Sequence, residues 1–129
     1  ESVRWSCRPY YNQEEMVKET LAFDIGLFPM FHNGEGLARG TLKPMIYMSA
    51  GAAVLCENYG ENPKLIQDGV NGLMAATPDE WLKKMDWLVT HTAERKAIAQ
   101  RGLDTIYSQF RTEHVFARLT STFDQILAA

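Results

Sequence analysis

The sequence predicts one α/β domain built on a parallel sheet of about four strands, and three observations lead to that class. Its 129 residues fit a single domain with one buried core. Short apolar runs alternate with amphipathic helical patterns through the first three-fifths of the chain, the order that builds parallel sheets from βαβ units. The remaining part carries three consecutive helical patterns. We therefore expect one domain over residues 1–129, flanked by helices and ending in three of them.

Four apolar segments are the predicted strands, and they cover residues 3–7, 24–29, 52–56 and 73–76. The second segment is almost continuously apolar and stops at Pro29. Such a run is typical of an inner strand that is buried on both faces.

Helix start signals separate these strands. Asn12 is a candidate N-cap, Thr41 is the expected cap of a helix with Pro44 in its first turn, and Pro63 opens a short helix through residue 67. Gly51 is the expected C-terminal residue of the second helix. Residues 32–41 carry three glycines and are predicted to form a loop.

The three C-terminal helices begin at a capping box with proline (residues 77–80), at Thr92 and at Thr112. Their spacing predicts an apolar stripe on each helix that faces the core. The predicted inward residues are Trp81, Leu82, Met85, Leu88 and Val89 in the first helix, Ile98, Leu103 and Ile106 in the second, and Val115, Phe116, Leu119, Phe123, Ile126 and Leu127 in the third.

Composition excludes several classes of function. Thirteen Lys and Arg against sixteen Asp and Glu give a net charge of −3, so we expect no nucleic-acid or anionic-lipid partner. Cys7 and Cys56 lack metal-binding spacing and are predicted to be buried, reduced thiols of a cytoplasmic protein. The three histidines also lack ligand spacing, so no metal and no cofactor is expected.

Two features at the chain level complete this picture. No apolar run approaches the ~20 residues that a membrane-spanning helix needs, so no transmembrane segment is expected. The chain starts with Glu1 and has no basic-then-apolar leader, and we expect it to be a fragment of a longer protein.

The loops at 30–41 and 57–62 are the predicted ligand-binding segments, because parallel sheets bind ligands at the carboxyl ends of their strands. The first loop ends at a helix N-terminus, which favours an anion such as phosphate, and Arg39 and Lys43 add two cations there. Its glycines match neither the GxGxxG fingerprint nor the P-loop order. The alternative is a glycine-rich surface loop that binds no ligand. Glu57 and Glu61 flank the second loop as candidates to bind a ribose or sugar hydroxyl, and the alternative for them is that both are solvated acids.

A more specific pattern comes from four segments, which are DIGLFP at 24–29, YMSAG at 47–51, NPKLI at 62–66 and DGVNGL at 68–73. With their ungapped spacing from Gly51 to Leu73, they resemble the C-terminal half of the group 1 retaining glycosyltransferases, which have two Rossmann-like domains in the GT-B architecture. The tail at 94–115 fits the same family. The resemblance covers the chain from about Val3 onward.

The resemblance implies a partial GT-B C-terminal domain that holds a nucleoside diphosphate sugar. The acceptor, a glycan or lipid in polysaccharide biosynthesis, would be bound by an N-terminal domain outside this chain. The diphosphate would be held by Glu35, Gly36, Arg39, Thr41 and Lys43, and the ribose and base by Glu57, Tyr59 and Glu61. The family's catalytic Arg/Lys pair lies upstream, so the catalytic residues are unknown here and the isolated chain is predicted to be inactive.

This sequence departs from the family at its acidic positions. The family's donor loop carries two glutamates eight positions apart, and alignment on Gly51 places them at Ala38 and Ile46. Anchoring on Glu35 instead leaves Lys43 at the second position. A non-catalytic binding or interaction domain with a degenerate site is therefore the second hypothesis. A receiver-like or flavodoxin-like signalling domain is the third, and it is disfavoured because Asp24 opens its strand rather than closing it.

Overall fold

The computed structural model describes residues 4–7 and 12–128. Its centre is a parallel sheet with the strand order β1-β2-β3, formed by β1 (Ile25–Phe28), β2 (Ala53–Glu57) and β3 (Leu73–Ala75). Ile25 pairs with Ala53, and Leu55 pairs with Leu73. The predicted α/β class with a parallel sheet is confirmed.

Helices alternate with these strands and then continue to the end of the chain. In chain order they are α1 (Gln13–Thr20), α2 (Gly34–Ala38), α3 (Leu42–Ser49), α4 (Asn62–Leu65), α5 (Pro78–Thr90), α6 (Thr92–Gln109) and α7 (Thr112–Leu127). The Asn12 side chain caps α1 by accepting the Glu15 N–H at 3.0 Å, as predicted. Gly51, with φ of 78°, follows α3 at the expected place.

The strand predictions need two corrections. Residues 4–7 are exposed and form no strand, and Val3 lies outside the described residues. The residues that the structure describes therefore form three strands rather than about four. The segment predicted as an inner strand is β1, which lies at an edge of the described sheet with Leu27 42% exposed. The inner strand is β2, since it pairs with a neighbour on each side and all its residues are buried.

Two apolar clusters cover the two faces of the sheet. Alternate β2 residues point to opposite faces, so Ala53 and Leu55 join one cluster while Val54 and Cys56 join the other. Leu88, Ile98 and Ala99 of α5 and α6 complete the first cluster, and Phe28, Met48, Leu65 and Ile66 complete the second. Full burial of a side chain such as Leu88 contributes about 1.5–3 kcal/mol relative to an exposed one.

The predicted loop at 32–41 contains a short helix, α2. Asn33 makes this helix possible despite its two glycines, because its side-chain oxygen accepts the Gly36 N–H at 2.9 Å. Local glycine content therefore led to the wrong prediction for residues 34–38.

The capping box at the start of α5 is confirmed. Thr77 Oγ1 accepts the Glu80 N–H at 3.3 Å, and the Glu80 carboxylate accepts the Ala76 N–H at 2.7 Å. Leu88 is fully buried, and Trp81 and Met85 are partly buried against the same cluster.

The predicted apolar stripes are only partly buried. Leu82 and Val89 of α5 are exposed, because the buried stripe of that helix is narrower than the apolar one. Ile98 is buried and Leu103 and Ile106 are half-buried in α6. All six predicted inward residues of α7 are exposed, namely Val115, Phe116, Leu119, Phe123, Ile126 and Leu127. Periodicity shows which side chains share a face, but not whether another element covers that face.

Two further expectations concern the cysteines and membrane helices. Cys7 is exposed, which corrects the prediction that both thiols are buried, and Cys56 is buried as expected. None of the helices within the described ranges combines the length and the apolar character that crossing a bilayer requires.

Candidate functional site

The candidate site lies where β1 and β2 end at the same edge of the sheet. The chain leaves β1 into residues 29–33, which lead to α2, and leaves β2 into residues 58–61, which lead to α4. Parallel pairing places these two connections side by side, at the edge where open α/β sheets bind ligands.

Glu57, the last residue of β2, is the centre of this edge. Its side chain is only 9% exposed. One carboxylate oxygen lies 3.0 Å from His32 Nε2, and the other accepts the Trp81 Nε1–H at 3.2 Å. A carboxylate has only acceptors, so the His32 nitrogen that faces it carries the proton. Glu57 thus joins the end of β2 to the β1–α2 connection and to the first turn of α5.

His32, which contacts Glu57, stacks on the ring of Tyr59. Their ring centroids are 4.4 Å apart and the rings are 13° from parallel. The His32 side chain is 50% exposed, whereas its partner Glu57 is buried. One face of the imidazole is therefore covered, while part of the ring faces outward.

Gly36 and Gly60 allow the two connections to approach each other. A Cβ atom on Gly36 would overlap the backbone oxygen of Phe31 and approach the Tyr59 ring to 3.3 Å. Gly60 has φ of 61°, a left-handed conformation that favours glycine, and it faces the backbone oxygen of Gly36. The two connections form one packed wall rather than two separate loops.

The buried side chain of Asn62 holds the two connections together. Its side chain is buried, and its Nδ2 donates to the Glu57 backbone oxygen at 2.8 Å and to Met30 Sδ at 3.3 Å. It therefore links the end of β2 to the residues that follow β1.

The structure brings three of the predicted site residues together, namely Gly36, Glu57 and Tyr59. Glu61 is exposed, precedes α4 and pairs with Lys64 at 2.8 Å, away from the His32 contact network.

The residues predicted to hold the diphosphate follow one another around the turn from α2 to α3. Glu35, Arg39 and Lys43 are exposed, and no ion pair within the described residues involves either of the two cations. Thr41 precedes α3, but its hydroxyl lies 3.7 Å from Met45 Sδ and does not cap the helix. The N-terminal N–H groups of α3 thus receive no side-chain cap from Thr41.

Sequence reasoning missed His32, Trp81 and Asn62 as contributors to the site. It considered His32 only as a metal ligand and Trp81 only as a core residue. The available signal was position, because His32 follows β1 as Glu57 ends β2, at the same edge of a parallel sheet.

Cys56 lies beside Glu57 but has no nucleophilic character. Burial raises the pKa of its thiol to about 12, and the nearby negative charges of Asp68 and Glu57 add to that rise. The thiol is therefore protonated near neutral pH and acts as a packing group in the second cluster.

A comparison with protein-family models matches residues 7–121 of this chain to the family described as "Glycosyl transferase-like". The match covers most of the chain. The chain belongs to this glycosyl transferase-like family. The resemblance inferred from the segments between residues 24 and 73 is thereby confirmed at the family level.

Solved structures share the fold of this glycosyl transferase-like chain. The C-terminal domain of a glycosyl transferase group 1 family protein, LpcC, from Francisella tularensis is similar over 82% of this chain, with a TM-score of 0.67 and 22% identity. Alr3699/HepE from Anabaena, solved in complex with UDP-glucose, is similar over 84% of this chain, with a TM-score of 0.71 and 17% identity. A second HepE structure, with UDP and glucose, has a TM-score of 0.67 at 16% identity.

This chain matches only part of the length of each of these solved chains. It spans 53% of the LpcC chain and 29% of the HepE chains. The comparison with curated proteins found no match.

Proposed function

We propose that this chain is the nucleotide-sugar donor-binding part of a retaining glycosyltransferase. In this proposal it holds a nucleoside diphosphate sugar, and another part of the enzyme supplies most of the site for a glycan or lipid acceptor. The observation that carries the proposal is the ordered wall at the carboxyl edge of the sheet, where Glu57, His32, Tyr59 and Gly36 are fixed by direct contacts. Membership in the glycosyl transferase-like family supports it.

The wall offers the kinds of groups that a nucleoside would use. His32 and Tyr59 supply polar atoms on aromatic rings, and the close packing at Gly36 and Gly60 holds the two connections in place. Small-molecule sites use a few fixed polar groups to orient the ligand.

The turn between α2 and α3 offers groups for the diphosphate. Arg39 and Lys43 are exposed cations on a chain whose net charge is −3, so they provide a local positive charge that the whole molecule lacks. Charge-assisted hydrogen bonds from such groups to phosphate are roughly twice as strong as neutral ones. In the intact enzyme they would hold the leaving nucleoside diphosphate while cations of other segments stabilise its developing charge.

A second candidate function is a non-catalytic binding or interaction domain with a degenerate site. It is favoured by the contacts that the two loop acids already make. The Glu57 carboxylate contacts His32 and Trp81, and the Glu61 carboxylate pairs with Lys64. Neither carboxylate is therefore an open acceptor for a ribose hydroxyl.

Titration of the chain with UDP, GDP and ADP separates the two candidates. We expect saturable binding of at least one of them by calorimetry, and about tenfold weaker binding in Arg39→Ala and Lys43→Ala. Lys96→Ala is the matched control, since Lys96 is an exposed lysine on α6 and its loss leaves the affinity unchanged. Absence of binding to all three nucleotides at millimolar concentration contradicts the donor-site proposal and favours the degenerate domain.

A further inference from the structure

We propose that His32 binds the donor directly through Nδ1 and that Glu57 is its positioning residue. The ligand group that Nδ1 takes is a hydroxyl of the ribose or of the sugar in a nucleoside diphosphate sugar. This inference rests on the proposed function and assigns a role to a residue outside the set predicted from the sequence.

The protonation of the imidazole follows from its contact with Glu57. The 3.0 Å contact joins Nε2 to a carboxylate oxygen, and a carboxylate can only accept, so the proton lies on Nε2. In the neutral imidazole the other nitrogen then has a lone pair and acts as an acceptor. No hydrogen bond to Nδ1 is formed within the part of the chain that the structure describes.

The surroundings of the ring fix its direction. Tyr59 stacks on one face at 4.4 Å, and the Glu57 carboxylate is itself held on its other oxygen by Trp81. Nε2 and Nδ1 lie on different sides of the imidazole, so Nδ1 is turned away from the carboxylate. The 50% exposure of the His32 side chain leaves the ring accessible to a ligand.

The energetics argue against a purely structural pair. A carboxylate that is 9% exposed loses much of its hydration, and the two hydrogen bonds that it accepts offset only part of that cost. What Glu57 provides in return is a fixed tautomer and orientation for a half-exposed ring. That combination is the usual way in which a carboxylate prepares a histidine to act through its second nitrogen.

The test compares variants that keep different polar atoms of the imidazole. In His32→Gln the longer amide reaches the Nε2 position and retains the contact with Glu57, whereas in His32→Asn the shorter amide lies near the Nδ1 position. We expect His32→Gln to weaken binding of UDP-glucose, or of the sugar conjugate of whichever nucleoside diphosphate binds the native chain, by about tenfold. His32→Asn should retain more of the affinity, and His91→Gln, the same change at an exposed histidine after α5, should retain all of it.

A second measurement reports the tautomer itself. Long-range ¹H–¹⁵N spectra of the native chain should show the His32 proton on Nε2 and a change in the Nδ1 resonance when UDP is added. His32 and Trp81 face different oxygens of Glu57, and in Glu57→Gln one of those positions becomes an NH2 group that cannot accept. The Nε2–H form should therefore become less populated, and the affinity should fall. With a merely structural role for Glu57, the tautomer signal would move without any loss of affinity.

The outcomes separate this inference from the proposed function. If the native chain binds UDP and UDP-glucose and His32→Gln binds both equally well, the role of His32 is overturned while the donor-site proposal stands. A proton found on Nδ1 in the complex overturns the acceptor role as well. If no nucleoside diphosphate binds the native chain, the proposed function is wrong, and the inference about His32 falls with it. Equal losses with UDP and UDP-glucose assign the hydroxyl to the ribose, and a loss with UDP-glucose alone assigns it to the sugar.

Discussion

Glu57 shows how one side chain organises the candidate site. Its carboxylate contacts His32 after β1 and Trp81 in α5, and its backbone oxygen accepts from Asn62 at the start of α4. Two side chains that lie 25 and 24 residues away in the sequence therefore meet at Glu57, beside the nearby Asn62. Glu57 was predictable as a site residue because it is an acid that flanks the loop after a predicted strand, but its partners come from the fold and have no local signal.

Trp81 provides a test of this network at the level of a single hydrogen bond. Trp81→Phe keeps most of the ring but removes the N–H that Glu57 accepts, leaving a buried carboxylate oxygen without that donor. We expect the free energy of unfolding to fall by about 1–3 kcal/mol, as measured by urea denaturation. Trp87→Phe is the control, because Trp87 stacks on His91 and the described contacts include no hydrogen bond from its indole. Equal losses in both variants contradict the assigned role of the Trp81 N–H.

Cys56 predicts a dependence of stability on pH. Burial raises the pKa of its thiol from the ordinary value of 9.0 to about 12 in the folded chain, so the unfolded chain loses this proton at lower pH. Between about pH 9 and 12 the unfolded state therefore binds fewer protons, and stability decreases as the pH rises. The stabilising contribution is fully present below about pH 9. Thermal midpoints of the native chain and of Cys56→Ala should differ in their slope over this interval, and parallel slopes contradict the account.

At the scale of elements, α2 depends on a close backbone approach at Gly36. In Gly36→Ala the new methyl group meets the backbone oxygen of Phe31, which cannot move without displacing the wall of the site. We expect a loss of about 1–3 kcal/mol in the free energy of unfolding, measured by urea denaturation.

Gly34 is the matched control for this prediction. It lies in the same helix, and a Cβ atom there would meet no atom within 4 Å. Gly34→Ala should be neutral or more stable by up to about 1 kcal/mol, because alanine favours the helix. A loss of the same size in both variants would show that the contact with Phe31 is not the cause.

The elements show which parts of the fold were predictable from local sequence. The caps at Asn12 and Thr77 and the glycine at Gly51 act over three or four residues, so their signals are complete within the segment. The helix α2 was missed, because its glycines argue locally for a loop while its stability depends on the Asn33 cap and on packing against residues 59–60. Arg39 and Lys43 could be proposed from the sequence because they lie in one local segment. The contact of His32 with Glu57 could not, because it joins residues 25 positions apart.

At the scale of the whole molecule, the core and the apolar periodicity do not coincide. The described core is formed by the sheet with α3, α4, α5 and α6, and none of the α7 residues is buried. The sequence pattern alone cannot distinguish the buried stripe of α5 from the exposed one of α7, because both follow the same helical spacing.

This difference predicts unequal effects of truncating apolar side chains. Leu88→Ala and Ile98→Ala should each cost about 2–5 kcal/mol in the free energy of unfolding, since both side chains are buried in the first cluster. Phe116→Ala and Phe123→Ala should change it by less than about 0.5 kcal/mol, because both rings are exposed. Urea denaturation of the four variants checks the division, and a cost of several kcal/mol at Phe116 would show that α7 is part of the core.

The central claim is that a nucleoside diphosphate binds where β1 and β2 end. The most direct measurement is a titration of the ¹⁵N-labelled chain with UDP, GDP and ADP, followed by amide chemical shifts. We predict saturable shifts concentrated at residues 32–43 and 57–61, with little change in residues 112–127. A groove elsewhere on the molecule is lined by residues of the segments 63–71 and 101–109. No saturable shifts with any of the three nucleotides, or shifts concentrated instead in that groove, would contradict the account.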